Sequence, residues 1–194
     1  EDNTAVIEMA TCAGLPLTGE NKNPEKATTF GVGELIMHAV SNGAESIVLG
    51  LGGSATNDCG TGMASALGWK FIDEKGACFV PVGGTLHNIK SLIAPEKNIG
   101  ITVVAACDVE NPLYGKNGAA YVFAPQKGAD EEMVIRLDNG LRHTATLIAN
   151  DIGVEVAHIK GAGAAGGMGA GAVAFGRAFQ VLAGGKIAIA VASV

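Results

Sequence analysis

Positive charge, long apolar runs and paired cysteines are all scarce in this sequence, and each shortage removes a class of function. Thirteen Lys and Arg stand against 19 Asp and Glu in 194 residues, for a net charge of −6. A phosphate backbone is bound by clustered Lys and Arg, so nucleic acid is not an expected partner. No apolar run approaches the ~20 residues that span a bilayer. No basic segment followed by an apolar one opens the chain as a secretory leader would. A membrane partner is therefore not expected either. The four cysteines, Cys12, Cys59, Cys78 and Cys107, form no C-x-x-C pair and have no His partner nearby. They read as reduced thiols of a cytoplasmic protein rather than a disulfide frame or zinc site. Internal repeats are missing. So is the Walker A run ending in Gly-Lys-Ser/Thr, and GGSAT lacks the Gly two residues after Ser that a nucleophile elbow needs.

What is present suits a packed α/β domain. Hydrophobic residues make up 48% and charged residues 16% of the chain, enough for a sizeable core and too apolar for disorder. Strand-like runs occupy 4–9, 45–51 and 99–107, with a possible fourth at 186–193. A helical pattern at 31–42 carries Leu35, Ile36, Ala39 and Val40 and stops at Asn42-Gly43. The clearest helix starts at Asp130, an N-cap followed by Glu131 and Glu132. Its apolar face runs through Met133, Leu137, Leu141, Ala145 and Ile148. The stretch WKFIDEKGACFV (69–80) reads as a hairpin around Asp-Glu-Lys-Gly. Alternating strands and helices predict a layered α/β/α fold with a mixed, largely parallel sheet. The chain begins without Met in a strand-like run and closes on KIAIAVASV, so it is expected to be a piece of a larger protein.

Ligands of open α/β sheets bind at the carboxyl ends of strands, and the loops there hold the candidate chemistry. In GLGGSATNDCGTGM (50–63), Gly52 and Gly53 expose backbone N–H groups. Ser54, Thr56 and Asn57 can cap the next helix or donate to an anion. Asp58 would repel an anion unless it holds Mg²⁺ or takes a hydroxyl proton; the alternative is a helix cap and tight turn. Asp108 ends the strand 99–107 and is a metal or base candidate, or the head of an Asx turn, with Asn111-Pro112 shaping the exit. In APQKGA, Lys127 follows Gln126 and offers a point charge for phosphate or carboxylate, or is solvated surface. Gly161, Gly163 and Gly166 match G-x-G-x-x-G, with Gly167 adjoining, but no acidic residue follows at about 20 positions. The histidines (His38, His87, His143, His158) have no metal spacing.

Together GLGGSATNDCGTGM, ACDVENPLYGKNGAAYVFAPQKGA and GAGAAGGMGAG closely resemble the type 1 glycerate kinase family, as do TAVIEMATCAGL and ATTFGVGELI. Two departures are visible: Cys59 stands where the family usually has Gly, and Val32 where it usually has Thr. The resemblance implies two interleaved α/β domains with the site in the cleft, and ATP-dependent phosphorylation of D-glycerate with Mg²⁺, typically giving 2-phosphoglycerate. The family's Pro-Asp-Ser-Phe/Tyr-Lys and Thr-Gly-Glu-Gly-Arg motifs are absent. Residues 1–194 are then the central domain, truncated at both ends, with 1–25 and 178–194 packing against the missing domain. On this reading the remainder of the same polypeptide is a partner and the piece alone is inactive. Asp58 and Asp108 form the acidic pair, either one the Mg²⁺ ligand. Lys127 meets the anion. Gly52, Gly53, Ser54, Thr56, Asn57, Asn111, Gln126 and the Gly161–Gly167 loop bind substrate or nucleotide. The alternatives are an NAD(P)-dependent oxidoreductase using the Gly161 loop and a non-catalytic anion-binding α/β domain.

Overall fold

The computed structural model describes residues 3–97, 100–176 and, as backbone, 179–183. Four strands, β1 (Thr4–Glu8), β2 (Ser46–Gly50), β6 (Thr102–Cys107) and β7 (Phe179–Ala183), form one parallel sheet in the order β1-β2-β6-β7. Their registers align Ile7 with Leu49, and Leu49 with Ala105. Alternate residues point to opposite faces, so Ile7, Ile47, Leu49, Val103 and Ala105 share one face, and all are buried in the core.

Helices α1 (Ala10–Ala13), α2 (Phe30–Ser41), α3 (Thr61–Ala66), α4 (Ala119–Phe123), α5 (Glu131–Leu147) and α6 (Ala164–Phe175) connect or cover these strands. In α2 the buried residues are Val32, Gly33 and Ile36. Gly33 is required there because a Cβ would meet the Met63 carbonyl of α3 at 2.5 Å. Helix α5 starts as its sequence dictates: the Asp130 carboxylate accepts from Met133 N–H (2.8 Å), with Glu131 and Glu132 in the first turn. Leu137, Leu141, Ala145 and Ile148 are buried along one stripe, and truncating such a leucine costs about 2–5 kcal/mol.

The hairpin expected at 69–80 is present as β3 (Lys70–Ile72) and β4 (Cys78–Phe79), but β3 also pairs with β5 (Ser91–Ile93). These antiparallel strands make their own small sheet instead of joining the parallel one. The aromatic side chains account for this. Trp69 and Phe71 pack edge-on against Phe175 of α6, with centroids 5.3 and 5.7 Å apart, and Trp69 Nε1 donates to the Phe175 carbonyl. The sheet is thereby held at the end of α6. Strand β7 had no counterpart among the sequence expectations, and the strand expected at 186–193 lies outside the described residues.

Candidate functional site

A cavity of about 420 Å³ opens at the carboxyl ends of β2 and β6. Leu51, Gly52, Gly53 and Ser54 follow β2 into it, while Cys107, Asp108 and Val109 enter from β6. Gln126 and Lys127 come from a 3₁₀ turn (Pro125–Lys127), and Ala164 and Ala165 from the start of α6. Leu15 and Phe123 complete the wall. Thus Gly52, Gly53, Ser54, Asp108, Gln126 and Lys127, read from three separate loops, meet around one space. This is the position that strand polarity predicts for a ligand.

Lys127 is a buried cation, 2% exposed. Its Nζ donates to Ser54 Oγ (3.0 Å) and to the Thr56 carbonyl (2.7 Å), so it holds the glycine-rich loop from beneath. Burial lowers its pKa to about 8, against the opposing attraction of Asp58. An ammonium has three protons to donate. Two are engaged in the loop among the described residues, and Lys127 also lines the cavity. The same loop is fixed on its other side by backbone bonds, Leu15 N–H to Gly53 O (2.8 Å) and Ala55 N–H to Ala13 O (2.9 Å).

Asp58 does not line this cavity. It is fully buried, and its carboxylate accepts from Thr29 N–H (2.7 Å), Thr29 Oγ1 (2.9 Å), Gly60 N–H (3.2 Å) and Gly62 N–H (3.4 Å). These donors stand at the N-termini of α2 and α3, where a negative charge is favoured. Desolvation pushes its pKa above the ordinary carboxylate value, against the pull of those four donors. Asp108, by contrast, is exposed at the cavity wall. The two acids therefore have different surroundings, one closed within the fold and one open to a ligand.

The glycines of 161–171 are used mainly for packing. A Cβ at Gly166 would run into the Thr56 carbonyl, one at Gly169 into the Gly161 carbonyl, and one at Gly171 into the Cys59 carbonyl. Cys59 N–H donates to Gly166 O (3.1 Å), and Thr56 Oγ1 to Ala165 O (3.3 Å). The two glycine-rich segments lie backbone on backbone. Gly166 and Gly167 are buried in this contact, Gly163 is buried against Asn111, Pro112 and Ala119, and Gly161 is buried beside Gly169; of this segment Ala164 and Ala165 line the cavity. Ala165 (φ 52°) and Cys59 (φ 56°) are left-handed without being glycine, a strain of about 1–2 kcal/mol each. Asn111 lies outside the cavity, its Nδ2 donating to the Asn117 carbonyl (2.9 Å). Asn57 is fully buried, and neither amide atom has a hydrogen-bond partner among the described residues.

Several site residues were not anticipated. Thr29, which holds Asp58, is 29 residues away in sequence and carries no local signal. Leu15, Phe123 and Val109 are apolar residues that sequence alone does not distinguish from core. Cys107 and Ala165 adjoin candidates and could have been found by proximity. Among the described residues, no three His, Cys, Asp or Glu side chains converge as a metal cluster. Mg²⁺ commonly takes only one or two carboxylates besides phosphate oxygens and water. The exposed Asp108 carboxylate meets that requirement, and the saturated Asp58 carboxylate does not.

Known proteins are similar to this chain over most of its length. It is 52% identical over 178 residues to a glycerate kinase of Bacillus cereus, covering 90% of this chain and 47% of the relative. It is 47% identical over 181 residues to the glycerate 2-kinase of Escherichia coli, with 90% and 47% covered. The crystal structure of a protein assigned as glycerate kinase 2 from Salmonella typhimurium LT2 superposes with a TM-score of 0.89 at 45% identity. It covers 94% of this chain and 50% of that one. The chain thus spans about half the length of the relatives it matches. With the sequence profile of the Glycerate kinase family matching residues 1–192, and with the loops that carry the likeness forming the walls of one cavity, the chain belongs to the glycerate kinase family.

Proposed function

We propose that this cavity is one wall of the cleft in which a glycerate 2-kinase transfers phosphate from ATP to the 2-hydroxyl of D-glycerate, giving 2-phosphoglycerate. The observation that carries the reading is Lys127, a buried ammonium in the wall of a cavity that the exposed Asp108 also lines. Both reactants are anions, and phosphoryl transfer is mostly positioning and charge neutralisation. Lys127 supplies the fixed charge, and the N–H groups of Gly52 and Gly53 supply donors. Asp108 is the group that would hold Mg²⁺, which when bound neutralises phosphate oxygens, or that would accept the hydroxyl proton. Asp58 acts by position. It ties the starts of α2 and α3 to the loop and adds negative charge behind Lys127.

The test is a complete enzyme in which this chain replaces the matched half of the Bacillus cereus relative. Incubated with ATP, Mg²⁺ and D-glycerate, it should yield 2-phosphoglycerate, identified by phosphorus NMR. A 3-phosphoglycerate product would overturn the regiochemistry, and absence of turnover with intact folding would overturn the assignment. This chain alone should show no turnover. A cleft built from two walls loses alignment when one is missing, and alignment is worth up to about 7–11 kcal/mol of barrier.

A further inference from the structure

Segment 108–127 begins and ends at the cavity and leaves it in between. Asp108 stands at its start, and Gln126 and Lys127 at its close. Its middle, residues 114–118, turns back on itself, with Gly115 left-handed (φ 90°) and Gly118 N–H donating to the Gly115 carbonyl (2.7 Å). Both charged groups are joined to this turn by hydrogen-bonded backbone. Toward Asp108, Leu113 N–H donates to the Ala157 carbonyl (3.0 Å) and Gly163 N–H to the Asn111 carbonyl (2.9 Å). Toward Lys127, Ala119 N–H donates to the Leu113 carbonyl (3.0 Å), α4 follows, and Lys127 N–H closes onto the Ala124 carbonyl (2.9 Å). Whatever holds the turn therefore governs how far apart the two charges stand.

The turn is held from α5, by a carboxylate that the proposed chemistry does not use. Asp138 is 5% exposed, and its Oδ1 accepts from Gly115 N–H (2.7 Å). Its Oδ2 accepts from Arg142 Nη2, one helical turn on (3.4 Å). The Arg142 guanidinium lies over the Tyr114 ring, 4.2 Å from its centroid, and that ring meets His158 edge-on at 6.3 Å. Tyr114 and Gly115 are thus gripped by two side chains of one helix. A buried carboxylate paired with a half-exposed Arg is a poor source of stability. Between the buried Leu137 and Leu141, an apolar residue would pack at lower cost. What the carboxylate supplies is direction, since a short charge-assisted bond admits one placement of the turn.

From this we infer that Asp138 is a positioning residue of the cavity: it fixes Gly115 so that Asp108 and Lys127 keep a set separation, with Arg142 and Tyr114 completing the clamp. The inference rests on the roles proposed for Asp108 and Lys127, and one arm of its test reads no activity.

Asp138→Leu, Asp138→Asn and, as a control, Leu137→Ala are compared in the complete enzyme described above, each well below its melting temperature. Leucine removes the acceptor, whereas asparagine keeps an oxygen for Gly115 N–H. Misplacing reacting groups by about 1 Å can cost on the order of 10² in rate, even from a distant site. Asp138→Leu should accordingly lower kcat by about tenfold or more, with Asp138→Asn within about threefold of the wild type. Leu137→Ala, a core truncation, should lose stability but keep kcat. Hydrogen exchange, read by mass spectrometry on the same proteins, is the arm free of activity. In Asp138→Leu the amides of 108–113 and 124–128 should exchange about tenfold faster, along with those of 114–118. Faster exchange at 114–118 alone would overturn the inference. So would an unchanged kcat, or an equal fall of kcat in Leu137→Ala. A wild type without turnover would sink the kinase reading and leave the exchange arm to decide this one. Should Asp138→Leu fail to fold, Arg142→Gln takes its place, because that side chain is half-exposed. It should speed exchange in both cavity segments by about threefold, and no change in either would overturn the inference equally.

Discussion

The two glycine-rich segments, 50–63 and 161–171, look alike as strings, but Gly52 and Gly53 of the first are used differently from the glycines of the second. At Gly52 a Cβ would meet nothing within 4 Å, and the residue lines the cavity. At Gly166, Gly169 and Gly171 a Cβ would collide with backbone carbonyls, and the segment presses against the first one. The first segment keeps bare backbone at the cavity in Gly52 and Gly53, while its Gly62 and the glycines of the second are used up in contact. Glycine content alone therefore does not locate a phosphate site. What distinguishes the two is which neighbours already occupy the missing side chain's place.

The largest test of this contrast is Gly166→Ala. Both the collision with Thr56 and the left-handed φ of 71° oppose it, so a loss of about 3 kcal/mol or more is expected in thermal or urea unfolding. Gly52→Ala should leave stability within about 0.5 kcal/mol and weaken ligand binding instead. Equal destabilisation by both would erase the contrast.

The two acids provide the next test. Asp108→Asn should lower kcat of the complete enzyme by about 10²–10⁴ with unfolding unchanged. Asp58→Asn should cost about 1–3 kcal/mol of stability, because an amide NH₂ would face N–H donors that now have an acceptor. Should Asp58→Asn fold normally yet abolish turnover, its positioning role would be replaced by a direct one.

Lys127 separates function from stability by the sign of its pH dependence. Its folded pKa of about 8 lies below the ordinary 10.5, so between these values the unfolded chain binds more protons than the folded one. Stability from this group therefore rises with pH through that window, relative to Lys127→Met. Anion contact runs the other way. KM for the anion it meets should rise about tenfold per pH unit above about 8 in the wild type and be flat in Lys127→Met. A KM that stays flat in the wild type would return Lys127 to a purely structural role.

The smallest effect is expected at Cys59→Gly. Glycine relieves the left-handed strain but removes a buried thiol, so a net change within about 1 kcal/mol is expected by calorimetry. A larger loss would mean that the thiol's packing dominates.

Much of the fold was legible because its signals are local. Strands at 4–9, 45–51 and 99–107 needed only apolar runs between turns, and α5 needed only the Asp130 cap and a stripe at steps of three and four. The separation of the antiparallel strands was not legible, since it depends on Phe175 meeting Trp69 and Phe71 from more than 100 residues away. Of the site, the strand ends led to Gly52, Gly53, Ser54 and Asp108 as neighbours of one space, whereas Gln126 and Lys127, expected at a strand end too, reach it from a turn after helix α4. The sequence could not tell Asp58 from Asp108. Both are carboxylates near a strand end, and only the Thr29, Gly60 and Gly62 donors close one of them off.

By itself, then, the sequence determined the strands, the helices and the chemical kinds at their ends, because propensity, capping and periodicity act between residues a few positions apart. The tertiary structure alone decided which glycines face a ligand, which acid is open, and that the antiparallel strands form a sheet of their own. Each of these depends on atoms brought together across long stretches of chain, and on a strand order that no local pattern encodes.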